Sequence, residues 1–243
     1  MFSGEERIIY DQDIGAVEDE DARHRRKGAR MNKWKRVAGV ILAGGLSRRM
    51  GGGDKSLRRL DKRPLIGHVI DRLHEQAAPL ALNANGDPSR FSAFRLPVIA
   101  DATQDFAGPL AGLLAGMRWA AKAAPDVRFI VTAACDTPFF PLDLVERLLR
   151  SADGANPCIA LAASGGQIHP VFGLWPIAFA EDLVLSLEEG TRKVLHWTDR
   201  HPHCIVEFAF TDFGGNRVDP FFNANTPEDL AEAERLLTME RTP

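Results

Sequence analysis

The 243-residue sequence has few cysteines, little net charge and no long apolar run. Cys135, Cys158 and Cys204 are odd in number and far apart, and they form no CxxC pair. That spacing argues against a disulfide framework and a zinc site, and a reducing cytoplasm is the expected compartment. The formal net charge is -3. A nucleic-acid partner held by bulk electrostatics is therefore not expected. No apolar run approaches the about 20 residues of a membrane span, so no membrane association is expected. The N-terminus is acidic, unlike the basic-then-apolar start of a secretory signal peptide.

What is present is 45% hydrophobic and 26% charged, enough for one α/β domain with an ample core. The stretch "GEERIIYDQDIGAVEDEDARHRRKGAR" stands apart. It has few apolar residues, and an acidic block precedes a basic one. Such a segment buries too little surface to offset its ordering entropy. Residues 1–34 are therefore expected to be a disordered extension, and 35–243 a single domain. Met31 lies where the pattern becomes globular. Two readings stay open there: Met31 as the true start, or a genuine flexible tail.

From Val37 the punctuation is regular. "VAGVILA" (37–43), "LALNA" (80–84), "LPVIA" (96–100) and "VRFIVTAA" (127–134) are short, β-rich apolar runs. Helical spacing fills the intervals at 64–76, 109–124 and 141–152, each with proline leading. Strand alternating with helix implies parallel strands joined by helical crossovers. Further on, 157–163 and 171–175 read as strands around a turn at Gly165 and Gly166. Residues 176–190 and 191–199 read as helical and 203–210 as a strand. Helix 226–239 closes the chain, with Thr226 as its N-cap and Asp229 three residues on. The expected fold is α/β: three layers, doubly wound and Rossmann-like, mostly parallel with some antiparallel strand. Ligands in such sheets collect at the carboxyl ends of the strands.

"GVILAGGLSRRMGGGDKSL" (39–57) follows the first strand. A hydrolytic P-loop needs glycine before its lysine, but here Asp54 precedes Lys55 and would set negative charge against a triphosphate. The glycines also miss the G-x-G-x-x-G spacing of dinucleotide folds. A nucleotidyltransferase loop fits better. Gly44, Gly45, Gly51 and Gly52 would let backbone N–H groups approach phosphate. Arg49, a planar fork, and Lys55, a point charge, would neutralise a leaving pyrophosphate, with Arg48 as the solvated neighbour. A mobile surface loop is the bland alternative. Asp136, in "AACDTPFF" after the strongest strand, suits Mg²⁺, which takes one or two carboxylates together with phosphate oxygens and waters. Beside it Cys135 reads as a small buried filler.

"LAGGLSRRMGGGDKSL" closely resembles the LAGG-x-x-x-RMGG-x-DK-x-L signature of molybdenum cofactor guanylyltransferases. Similar motifs follow in the same order: "NANGD" (83–87), "VIAD" (98–101), "GPLAGLLAGM" (108–117), "CDTPF" (135–139), "HPVFGLW" (169–175) and "FFNANTPEDL" (221–230). They span Val37 to about Leu237. The resemblance implies a nucleotidyltransferase fold and a Mg²⁺-dependent transfer of GMP from GTP to the terminal phosphate of Mo-molybdopterin. It implies catalytic roles for Arg49, Lys55 and Asp136, with Asp136 as the metal ligand. Leu42, Ala43, Gly44, Lys55, Asn83, Asp101 and Asp136 are implied as nucleotide-binding. On residue type alone, Asn83 and Asp101 are better explained as turn chemistry at strand ends, and it is the resemblance that points to nucleotide contact. Gly108, Arg192, Asn223 and Asn225 are acceptor-side candidates, although Gly108 also suits a plain turn into a helix. His169 reads as structural or as a ligand contact, and Trp197 as core or as a stacking surface for a pterin. Molybdenum insertion proteins and molybdoenzyme apoproteins or their chaperones are the implied partners of an expected monomer. The rival activities are a cytidylyltransferase acting on the same cofactor, a non-catalytic GTP-binding carrier, and a sugar-phosphate nucleotidyltransferase, the last weakened by the absence of a long sugar-binding insertion. Related cytidylyltransferases tend to carry LAAG where this chain has Leu42-Ala43-Gly44-Gly45, which favours GTP.

Overall fold

A computed structural model describes residues 8–9, 37–44, 54–101, 108–152, 154 and 158–240 of the chain. The strongest apolar runs become the central strands. Val37–Leu42 (β2) pairs in parallel with Leu80–Asn83 (β5) on one side and Phe129–Ala134 (β7) on the other. Val98–Ile99 (β6) extends the sheet beyond β5. On the far side lies Gln167–Pro176 (β9), antiparallel to both β7 and Ile159–Ser164 (β8). His203–Glu207 (β10) then runs parallel to β8, and Ile8–Ile9 (β1), a two-residue strand within the extension expected to be disordered, runs parallel to β10; the rest of 1–34 lies outside the described residues. The order is β1-β10-β8-β9-β7-β2-β5-β6, a mixed and mostly parallel sheet.

Because side chains alternate across a strand, β2 supplies both cores. Val37 and Ile41 face the helices Leu65–His74 (α1) and Leu144–Ala152 (α3). Ala38 and Val40 face Pro109–Ala123 (α2), Ala180–Glu188 (α4) and Val194–Thr198 (α5). Helices on both faces give the three expected layers. The fit of α2 to the sheet depends on small residues. A Cβ added to Gly116 would stand 2.8 Å from Val40 Cγ2, and one added to Gly112 would stand 2.2 Å from Asn83 Oδ1.

Several elements are longer, shorter or additional to those expected. The 171–175 strand extends to the whole of β9, because a strand between two partners has both backbone edges paired. Its hairpin turn is Gly165-Gly166, both with positive φ (56° and 79°), the backbone of a two-residue turn that favours glycine. The strand expected over 203–210 stops at Glu207, and helix 176–190 divides into a 3-10 turn, Ile177–Phe179, and α4. Two small hairpins were not anticipated: Arg59–Leu60 (β3) with Arg63–Pro64 (β4), and Thr211–Phe213 (β11) with Asn216–Val218 (β12). Together with the closing helix Pro227–Glu240 (α6) they form a third apolar cluster around Leu60, Phe139, Phe213 and Leu236. That cluster holds the segment before α6 against the carboxyl ends of the central strands.

Candidate active site

The chain leaves β2 to build β5 and β6 on one side, then returns through α2 to β7 on the other. This reversal opens a crevice at the carboxyl ends of β2, β5 and β7, where ligands of such sheets bind. Leu42 is in register with both Asn83 and Ala134. Its carbonyl accepts from Cys135 N at 3.2 Å, and Ala43 N donates to Asn83 O at 2.8 Å. The ends of three strands are thereby tied edge to edge. Gly44 follows, exposed, with open space where a Cβ would stand.

Lys55, Asp136 and Asn225, distant in sequence, meet at this edge. Lys55 Nζ donates to the Asp136 carboxylate and to Asn225 Oδ1. The side chains of Lys55 and Asp136 are only 11% and 18% exposed, so the pair is sheltered from solvent screening. Thr137 Oγ1 donates to Asn223 Oδ1, and Ala224 N donates to Asp136 O at 2.9 Å. Asn223 and Ala224 are thus stitched to the residues just after β7, and Asn225 to Lys55. The second Asp136 oxygen, Oδ1, lies 3.4 Å from the Thr137 hydroxyl. Cys135 is buried as expected for a filler, and burial pushes its thiol up from the ordinary range.

Asn83 and Asp101 also come together. Asn83 Nδ2 donates to Asp101 Oδ1 at 3.0 Å and to Ile99 O at 3.2 Å. Asn85, absent from the expected set, clamps the same aspartate: its Nδ2 donates to Asp101 Oδ2 at 2.7 Å, and Asp101 N donates to its Oδ1 at 2.9 Å. Asp54 is turned aside and neutralised. Its Oδ1 accepts from Ser56 N (3.1 Å) and Ser56 Oγ (2.6 Å), capping the 3-10 turn that carries Lys55, and its Oδ2 pairs with Arg90 Nε at 3.0 Å.

Gly108 and Arg192 form a separate neighbourhood. Gly108 (φ 66°) begins α2, and a Cβ there would lie 3.7 Å from Arg192 O. Arg192 Nη1 donates to Leu187 O (2.9 Å) and Thr191 O (3.0 Å), capping the end of α4. Among the described residues, no hydrogen bond or ion pair joins Gly108 or Arg192 to Lys55 or Asp136. The stacking role considered for Trp197 is corrected by its burial. Its ring is fully enclosed and stacked on Trp175 with centroids 6.0 Å apart, and its Nε1 donates to Asp182 Oδ1 at 2.8 Å, so no face is left for a pterin. His169 sits in a polar relay with Ser164 and Asp219 and stacks on Phe221 at 4.4 Å. Arg48, Arg49, Gly45, Gly51 and Gly52 lie outside the described residues.

The MobA-like NTP transferase domain family matches residues 39–203. Molybdenum cofactor guanylyltransferase of Bradyrhizobium sp. (strain ORS 278) is 52% identical over 205 residues, covering 84% of this chain and 94% of that protein. This chain belongs to the MobA-like nucleotidyltransferase family, among its molybdenum cofactor guanylyltransferases. The protein of that name from Rhodopseudomonas palustris (strain BisB5) is 53% identical over 198 residues, 81% of this chain and 92% of its own. In fold, the chain is similar to molybdopterin-guanine dinucleotide biosynthesis protein A from Archaeoglobus fulgidus. There the TM-score is 0.65 at 21% identity, over 83% of this chain and 98% of that one. The chain is a nucleotidyltransferase.

Thr137, Asn85, Asp54 and Arg90 were missing from the residues expected at the site. "CDTPF" and "NANGD" contain Thr137 and Asn85, and a polar residue beside each motif aspartate or asparagine was the available signal. Arg90 had no local signal, because Asp54 comes from another segment and its second acceptor is the backbone carbonyl of Asn85.

Proposed function

We propose that this nucleotidyltransferase transfers GMP from GTP to the terminal phosphate of Mo-molybdopterin. The products are Mo-molybdopterin guanine dinucleotide and pyrophosphate. The observation that carries the reading is the meeting of Lys55, Asp136 and Asn225 at the switch point of the sheet. An oxygen of the acceptor's phosphate attacks the α-phosphorus in line, and the bond to the β-phosphate breaks. The acceptor is already an anion, so no protein nucleophile is required. Positioning and charge neutralisation supply the catalysis. Lys55 would meet triphosphate oxygens, and Arg49 is assigned the charge on the leaving pyrophosphate. Asn83 and Asp101 would hold the nucleoside end, with the backbone of Leu42, Ala43 and Gly44 alongside. Asn223 and Asn225 would orient the phosphates between donor and acceptor, and Gly108 and Arg192 would serve the acceptor.

The donor set fits Mg²⁺. A hard cation that retains water and borrows phosphate oxygens needs one or two carboxylates, and Asp136 supplies one beside the amide oxygen of Asn225. When bound, the ion would lower the repulsion between the two phosphate groups. The chain's cytoplasmic placement, and its delivery of product to molybdenum insertion proteins or to molybdoenzyme apoproteins and their chaperones, belong to the same proposal. Asp136→Asn keeps the side chain's size and removes its charge. It should lower GTP-dependent pyrophosphate release by roughly a thousandfold with circular dichroism and melting temperature close to those of the parent. Full activity in that variant would refute the assignment of Asp136.

A further inference from the structure

Two parts of the nucleotide site stand in different segments. The Lys55 turn lies between β2 and β3, whereas Asn83 and Asp101 stand at the ends of β5 and β6. One side chain connects them. Arg90 Nε pairs with Asp54 Oδ2 at 3.0 Å, and Arg90 Nη2 donates to Asn85 O at 2.6 Å. Asp54 in turn caps the turn carrying Lys55, and Asn85 makes two hydrogen bonds to Asp101. The path from the turn that carries Lys55 to the Asp101 carboxylate is therefore continuous: Asp54, Arg90, Asn85, Asp101. Local geometry supports the central link. Asp87 caps the 3-10 segment Pro88–Phe94 through Ser89 N at 2.9 Å, which fixes the backbone from which Arg90 projects. Gly86 (φ 84°) makes the turn, and a Cβ there would stand 3.4 Å from Arg90 Nη1. The guanidinium also lies over the Phe91 ring, 4.9 Å from its centroid. Its fork occupies two acceptors at once, which an ammonium cannot do in the same plane.

We infer that Arg90 is a positioning residue that couples the Lys55 turn to the Asn85–Asp101 clamp, so that the phosphate and nucleoside ends of the donor site form one unit. The inference rests on the donor-site reading above. In this arrangement Arg90 also cancels the charge of Asp54 next to the triphosphate, the liability that Asp54 carries in the sequence. The arrangement differs in its consequences from direct contact between Arg90 and phosphate. If Arg90 bound phosphate, removing the charge of Asp54 would free a cation and tighten nucleotide binding. If Arg90 acts through Asp54, the same change loosens the turn and weakens binding.

Isothermal titration of each of the four ribonucleoside triphosphates with Mg²⁺ separates these cases. The proteins are the full chain, Arg90→Ala, Arg90→Lys, Asp54→Asn and the Asp54→Asn/Arg90→Ala double variant. The expected result for the nucleotide that binds is a loss of about tenfold in Arg90→Ala, the scale of a hydrogen bond to a charged group. Arg90→Lys should recover part of it. Asp54→Asn should weaken binding, and the double variant should bind no worse than Arg90→Ala alone, as coupled residues do. Tighter binding by Asp54→Asn, additive losses in the double variant, or unchanged binding by Arg90→Ala would overturn the inference while leaving the donor-site reading intact. Absence of binding of every triphosphate to the parent would overturn both. Asp54→Asn and Arg90→Lys preserve size and polarity and carry the test if Arg90→Ala does not fold.

Discussion

His169 shows how a single protonation state organises the segment that leads to Asn223 and Asn225. Asp219 as a carboxylate can only accept, so the Ser164 hydroxyl donates to its Oδ1 at 2.7 Å. Ser164 Oγ then accepts from His169 Nε2 at 2.7 Å, which places the proton of the neutral ring on Nε2. Ser164 lies between the histidine and the carboxylate, so this is not the order of a nucleophilic serine triad. Asp219 also accepts from Phe221 N at 2.8 Å, and His169 stacks on the Phe221 ring. The relay therefore anchors the start of the segment that delivers Asn223 and Asn225. Burial lowers the His169 pKa, with Asp219 and then Glu207 opposing that shift. The unfolded state then binds more protons as pH falls through the ordinary histidine value of about 6.5. Stability conferred by the neutral ring should be full above that value and decline as pH falls toward the lowered folded value. His169→Gln keeps a donor without the titration. Urea unfolding from pH 8 to pH 5 should show a shallower pH dependence in His169→Gln than in the parent, and equal slopes would contradict the assignment.

Among the elements, α2 is held close to β2 by Gly112 and Gly116, one turn apart on the face toward the sheet. Gly112 matters beyond packing, because its missing side chain is where the Asn83 amide sits. Gly112→Ala should displace that amide from Asp101, weaken nucleotide binding, and destabilise the fold by about 1–3 kcal/mol as an overpacked site. Calorimetry of binding and chemical denaturation read the two effects separately. At the other end, α6 begins with a reciprocal cap. Asp229 N donates to Thr226 Oγ1 at 3.1 Å, and Thr226 N donates to Asp229 Oδ2 at 2.9 Å. The same carboxylate accepts from Asn225 N at 2.9 Å, so the cap also orients the residue that meets Lys55. Thr226→Ala should cost about 1 kcal/mol in urea denaturation and should reduce transfer activity several-fold through Asn225.

These caps explain why so much of the framework was legible in the sequence. Pro64, Pro109 and Thr226 mark helix starts by local chemistry, and β2, β5 and β7 are runs that only a buried strand accommodates. The two small hairpins were not legible, because strands of two or three residues carry no alternation. Within the site, position after the strongest strand singled out Asp136, whereas Asn83 and Asp101 were singled out only by the family resemblance. The Asn85 clamp and the Arg90 bridge depend on residues joined only by folding. Of the two readings of Trp197, burial against Trp175 selects the core one, a choice that depends on packing and not on helical position.

At the scale of the whole molecule, the crossover from β6 through α2 to β7 creates the crevice, and the third apolar cluster brings the end of the chain back to it. The Lys55 turn and the Asn-Ala-Asn segment, distant in sequence, thereby meet at one carboxylate. Family membership gives nucleotidyl transfer, and the proposed choice of guanine and of Mo-molybdopterin gives it direction. The most direct measurement of that choice is pyrophosphate release with each of the four ribonucleoside triphosphates, with and without Mo-molybdopterin, in the presence of Mg²⁺. The account predicts release with GTP only when the acceptor is present, together with formation of the guanine dinucleotide. Release with CTP in place of GTP, or GTP binding without turnover in the presence of acceptor, would contradict it.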